Sequence, residues 1–124
     1  MGYKYFMNNP VGFRTEDCSV RTISKILDVS WDDAFDILSD SAKEMGLMPS
    51  DKSVMAAVLR KHGFYREKLP MFCSDCYSIR DFARNNPYGE FVVATDNHVV
   101  PIIDGTYYDS WDSGDEIPQY FWVK

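Results

Sequence analysis

His98-Val99-Val100-Pro101-Ile102-Ile103-Asp104-Gly105-Thr106-Tyr107-Tyr108-Asp109-Ser110 is the stretch that decides the fold. Two extended runs, rich in β-branched and aromatic residues, flank Asp104-Gly105, a pair suited to the turn of a two-residue hairpin. Counting outward from that turn, Ile103 faces Thr106 and Asp109 falls opposite Val100. His98 and Val100 share a face, so Asp109 lies on the His98 face one diagonal step away, with Trp111 directly opposite His98. The reading depends on register, since a slip of one residue would carry Asp109 to the other face. Pro101 within its run predicts an edge strand, or a ladder site that needs no donor.

Outward from the hairpin, Glu90 to Thr95 reads as a strand, Asp96-Asn97 as a turn, and Tyr120-Phe121-Trp122-Val123 as a last strand. Upstream the period turns helical. A helix from the cap Asp17 to Leu27 places Val20, Ile23, Ile26 and Leu27 on one face. A second opens at Ser30, with Asp33 at the capping-box position, buries Ala34, Ile37, Leu38, Ala42 and Met45, and stops at Gly46. A third follows Ser50 or Asp51 and ends at Gly63, with His62 favourably placed at its C-terminus. Phe64 to Leu69 reads as a short strand, and Ser78 starts a short helix that ends at Asn85-Asn86-Pro87. Residues 1–16, broken by Asn8-Asn9-Pro10 and Gly12, read as a coil lead-in. Helices first and antiparallel strands afterwards make an α+β domain, with N-terminal helices packed on a C-terminal antiparallel sheet.

At 124 residues the chain is expected to form a single domain over residues 1–124. Nineteen acidic residues against 13 basic ones give a net charge of −6, and the basic residues form no dense run. Nucleic acid is therefore not an expected partner, because such binding draws on phosphate neutralisation. No run of about 18 apolar residues is present, so no membrane span is expected. The start of the chain lacks the pattern of a secretory leader, and the three cysteines are an odd number. Together these predict a reduced, cytoplasmic protein.

The cysteines lead to the chemistry. A free thiol is mostly protonated at neutral pH, and a helix N-terminus or an imidazolium lowers its pKa. Cys18, directly after Asp17, sits at the first helical position, where unpaired N–H groups favour an anion. His98 opens a strand, and Asp109 on the same face can fix one imidazole nitrogen and leave the other for the thiol. Taken singly, Cys18 reads as a small buried hydrophobe, His98 as a structural histidine and Asp109 as a turn cap. Together they read as nucleophile, base and orienting acid, with Asp17 and Trp111 lining the site.

Asn9-Pro10-Val11-Gly12, Thr15-Glu16-Asp17-Cys18-Ser19-Val20-Arg21-Thr22, Met48-Pro49-Ser50-Asp51-Lys52 and the block from His98 to Ser113 add a resemblance. They resemble a family of small proteins from bacteria and their phages described as papain-like cysteine peptidases. The resemblance implies a minimal papain-like core, with the nucleophile on the first helix and the histidine and acid on adjacent antiparallel strands. It carries over Cys18, His98 and Asp109 in those roles. Many papain-like enzymes hold an oxyanion donor, a glutamine, several residues before the cysteine. This chain has Gly12 at that distance, which leaves Asn9 and Thr15 as side-chain candidates.

Cys73-Ser74-Asp75-Cys76 has metal-ligand spacing, but a structural zinc site needs four ligands and no second pair exists. The acidic stretch of Asp109, Asp112, Asp115 and Glu116 lacks calcium-loop spacing, so neither a metal nor a cofactor is expected. The expected function is that of a cysteine peptidase, or a related amide or acyl hydrolase, acting on a peptide or protein. Deamidation and acyl transfer use the same three residues. The alternative is a catalytically silent papain-like fold that binds a protein in phage–host interaction.

Overall fold

The hairpin forms in the expected register, with Ile103 paired to Thr106 and Ile102 to Tyr107. Asp104 and Gly105 take φ values of 48° and 79°, the left-handed pair that a type I′ turn requires. Gly89 holds Asp104 in that conformation: its N–H donates to the Asp104 carboxylate at 3.0 Å, and its carbonyl accepts the Asp104 N–H at 2.9 Å.

The computed structural model describes residues 2–69 and 77–124. In chain order these form β1 (Gly2–Tyr5), α1 (Cys18–Leu27), α2 (Trp31–Met45), α3 (Lys52–Lys61), β2 (Tyr65–Lys68), α4 (Ile79–Asn85), β3 (Glu90–Ala94), β4 (Val99–Ile103), β5 (Thr106–Asp109) and β6 (Tyr120–Val123). The strands make a six-stranded sheet in the order β1-β5-β4-β3-β6-β2. The domain is α+β. Cys73 and Cys76 lie outside the described residues.

The helices begin and end where local chemistry dictates. Ser30 caps α2 by accepting the Asp33 N–H, Asp51 caps α3, and Ser78 with Asp81 closes a reciprocal capping box on α4. Gly46, at φ 71°, ends α2 in the left-handed conformation that costs a glycine nothing. His62 follows α3, and its Nδ1–H donates to the Val58 carbonyl at 2.9 Å, satisfying one of the carbonyls that a helix end leaves open.

Strand alternation divides the core in two. Val92 and Trp122 join Ile23, Leu38, Val54 and Leu59 under α1, α2 and α3. Their strand neighbours Phe91 and Val93 join Val100, Ile102 and Tyr107 under α4, around Ile79 and Phe82. The sheet is thus covered on both sides, and α1 packs directly on β4.

Several expectations change: Met45, placed in the buried stripe of α2, is exposed. The coil lead-in is shorter, because Gly2–Tyr5 forms β1 and pairs parallel to β5, with Tyr5 beside Asp109. The sheet is therefore not wholly antiparallel. A four-residue Gly-Tyr-Lys-Tyr run carries too little periodicity to announce a strand, and only the β5 edge it docks on creates one. Pro101 lies in an interior strand rather than at an edge, since β4 sits between β5 and β3. The Asp104 N–H points to β3, so alternation turns the Pro101 nitrogen toward β5, where strand pairing stops at Ile102. It occupies a ladder site that needs no donor. His98 stands just before β4 rather than in it, with its carbonyl accepting the Thr95 N–H at 2.8 Å.

Candidate active site

Asp109 is the last residue of β5 and His98 directly precedes β4, so both lie at one end of the hairpin. There the start of α1 meets them. Asp109 is 1% exposed, and its two oxygens accept four hydrogen bonds. Oδ2 accepts from His98 Nε2 at 2.6 Å and from Ser113 Oγ at 2.7 Å. Oδ1 accepts from the Ser110 N–H at 2.8 Å and from Arg21 at 3.0 Å. A carboxylate so supplied has no vacant lone pair. Burial pushes its pKa up, but the His98 and Ser113 hydrogen bonds, the His98 charge and the Ser110 N–H outweigh burial and hold it below the usual carboxylate value. It is ionised and accepts only, so His98 Nε2 is the donor in that bond.

With Nε2 committed to Asp109, Nδ1 is the imidazole nitrogen left for Cys18. Burial pushes the imidazole down, yet hydrogen bonds to Asp109 and Cys18 and the charges of both raise its pKa to about 9. The thiol moves the opposite way. Burial raises it, but the hydrogen bond to His98, the backbone hydrogen bond of Val99 and the positive charges of His98 and Arg21 bring it below the ordinary thiol value. Both shifts favour one state, a Cys18 thiolate beside a His98 imidazolium. Trp111 lies against His98, with ring centroids 5.4 Å apart at an interplanar angle of 32°. The hairpin count had set these two residues opposite each other. Trp111 is 47% exposed, so it screens only part of the pair.

Asp17 behaves differently from the expected cap. Its side chain makes no capping bond. One carboxylate oxygen pairs with Arg21 one turn on, and the other accepts Trp31 Nε1–H at 2.9 Å. The first backbone hydrogen bond of α1 runs from the Arg21 N–H to the Asp17 carbonyl, so the amides of Cys18 and Ser19 have no partner within the helix. The helix start keeps its positive end uncovered beside the thiol.

Cys18 opens onto a cleft of about 810 Å³, within the range of small-ligand and substrate sites. Thr15, Asp17, Cys18, His98 and Trp111 all line it, together with apolar Met7, Phe13 and Met55 and charged Arg14, Glu16, Lys52 and Glu116. Asn9 does not. Its amide donates to the Phe13 carbonyl and accepts the Val11 N–H, both at 3.0 Å, and so builds the turn before the site. Gly12 closes that turn at φ 76°, its N–H bonded to the Asn9 carbonyl at 2.9 Å. The position where the resemblance wants a glutamine is thus a left-handed turn glycine. Of the two side-chain oxyanion candidates, only Thr15 borders the cleft.

Reading the residues one by one misses Arg21 and Ser113. The Asp17/Arg21 spacing of four is a helical ion-pair signal, but nothing in it points to Asp109, which lies 88 positions away. Ser113 gives no signal outside its block. The acidic stretch around it is pinned rather than free. Arg80 pairs with Asp112 and Asp115, and Asp112 accepts the Tyr107 hydroxyl at 2.5 Å. Among the described residues, no group of three or more His, Cys, Asp or Glu side chains is arranged to hold a metal ion, and no helix is long and apolar enough to cross a membrane.

No family model matches the chain, and neither a curated protein nor a solved structure matches it.

Proposed function

We propose that the protein is a thiol-dependent amide or acyl hydrolase of the papain-like kind, a cysteine peptidase in the first instance, acting on a peptide or protein substrate. The observation that carries this is a buried Asp109 bonded to His98 at the edge of a cleft that Cys18 also lines, with thiol and imidazole shifted in opposite directions. The likeness to papain-like peptidases rests on the residue blocks and on this site plan. The nucleophile stands at a helix start, the base just before one strand and the acid at the end of its neighbour, and an aromatic lies beside the histidine.

In this reading the Cys18 thiolate attacks the carbonyl carbon of the substrate. The carbonyl π electrons move to oxygen, and the resulting oxyanion meets the free N–H groups at the start of α1, with the Thr15 hydroxyl nearby. Collapse expels the amine, which takes the His98 Nδ1 proton, and a thioester to Cys18 remains. Water then attacks that thioester while His98 accepts its proton. The carboxylic acid product leaves, and the Cys18 thiolate beside the His98 imidazolium is restored. Asp109 stays ionised throughout and holds the imidazole through Nε2. A reduced compartment such as the cytoplasm suits the free thiol.

The test is the pH dependence of Cys18 alkylation by iodoacetamide, with Cys73→Ser and Cys76→Ser removing the other thiols. Cys18 is expected to alkylate with a pH midpoint below that of an ordinary thiol, and His98→Ala to slow it at pH 6 by about tenfold or more, the equivalent of one pKa unit. Equal rates in the two proteins at pH 6 would overturn the reading.

A further inference from the structure

Arg21 lies on the buried side of α1 between Val20 and Ile23, and is itself only 6% exposed. Placing a guanidinium there carries a desolvation cost that an apolar side chain of similar size avoids, so stability alone is a poor reason for it. Its geometry supplies a better one. One terminal nitrogen binds Asp17, and the other reaches Asp109 Oδ1 at 3.0 Å. Asp17 is anchored in turn by Trp31 at the start of α2. A rigid planar fork can hold two carboxylates at a fixed mutual angle, which a lysine cannot.

The bridge matters because of which oxygen it takes. Arg21 and the Ser110 N–H claim Oδ1, and this leaves Oδ2 to His98 and Ser113. Without Arg21 a single backbone N–H would hold Oδ1, and the carboxylate could turn about its last bond. His98 would lose its fixed acceptor, and Cys18 a fixed imidazole. Arg21 also stands three residues after Cys18 on α1, so the same contact fixes the helix bearing the nucleophile against the strand bearing the acid. We propose that Arg21 is a positioning residue of this site, bridging Asp17 and Asp109 so that Asp109 presents Oδ2 to His98 and α1 is tied to β5. The proposal rests on reading Cys18, His98 and Asp109 as one reacting unit.

The experiment compares the Cys73→Ser/Cys76→Ser protein with its Arg21→Met and Arg21→Lys variants. Three measurements are made on each: circular dichroism for fold, the pH midpoint of Cys18 alkylation, and the downfield proton resonance of His98 Nε2–H bonded to Asp109. In Arg21→Met the resonance is expected to disappear or broaden, and alkylation at pH 6 to fall about tenfold, a midpoint shift of about one unit. Arg21→Lys restores the charge without the fork and should recover only part of both. A merely structural role would lower the thermal midpoint and leave midpoint and resonance as they were, and that result overturns the proposal. If Arg21→Met does not fold, Arg21→Lys decides: wild-type values in both measurements overturn the proposal, and losses in both uphold it. Should Cys18 alkylate as an ordinary thiol even with Arg21 present, the hydrolase reading fails separately, and the imidazole resonance still reports on Arg21.

Discussion

Four hydrogen bonds converge on Asp109, because one buried carboxylate serves a strand end, a loop, a helix and an imidazole. Its four donors contribute unequally. Ser113→Ala removes one hydrogen bond to a charged acceptor and is expected to cost about 1.5–3 kcal/mol. Asp109→Asn is expected to cost more, about 3–5 kcal/mol, because it leaves the Arg21 guanidinium short of a buried partner and sets an amide N–H against groups that themselves donate. Urea denaturation of both variants checks the order. A Ser113→Ala loss as large as that of Asp109→Asn would mean that the 110–116 loop, rather than the carboxylate, carries the stability of this corner.

Among the elements, the β4–β5 hairpin sets the site and α1 completes it. The turn is the point of control, since Gly105 at φ 79° occupies backbone that a β-branched residue reaches only with strain. Gly105→Val is therefore expected to lower stability by about 1–2 kcal/mol, read as a reduced urea midpoint with an unchanged slope. Helix α1 owes its direction to Val20, Ile23 and Ile26, which pack in the core beneath it. That packing brings Cys18 to the His98 end of the sheet. The parallel β1 strand extends the same corner, with the Phe6 N–H bonded to the Asp109 carbonyl at 2.7 Å.

For the whole molecule, the thiol and the imidazole have opposite effects on stability as pH changes. The folded pKa of His98, about 9, lies above the unfolded value of about 6.5. Its contribution is complete below pH 6.5 and is lost as pH rises toward 9. The Cys18 thiol is held low in the fold, so its contribution is present at high pH and is lost as pH falls through its folded value. Above the folded thiol value the two oppose each other, so the wild-type thermal midpoint should fall less with rising pH than the imidazole alone would make it. Cys18→Ala removes the compensating half. That variant should lose stability as pH rises from about 6.5, over a window that ends below 9 because one of the supports of the imidazole has gone. Calorimetry from pH 5 to 9 distinguishes the cases, and parallel profiles for the two proteins would refute the thiolate–imidazolium pair.

Local chemistry in the sequence was enough for the caps at Ser30 and Ser78, a helix start at Ser50 or Asp51, the stop at Gly46 and the turn at Asp104-Gly105. Each of these depends on neighbours only a few residues away. From the turn, the period of two put Asp109 and Trp111 on the His98 side by counting, although the β4–β5 ladder itself ends at Ile102 and Tyr107, and the helix start accounted for Cys18. The pairing of β1 with β5, the interior place of Pro101 and the Arg21 bridge were all decided by tertiary structure. In each the partner lies far along the chain or on another element, and no local pattern encodes a contact across 88 positions. Asp17 shows the division most clearly. Its sequence position offers a helix cap, but the fold sets Arg21 and Trp31 within its reach, and a buried cation with an indole N–H outweighs the helix's own amides.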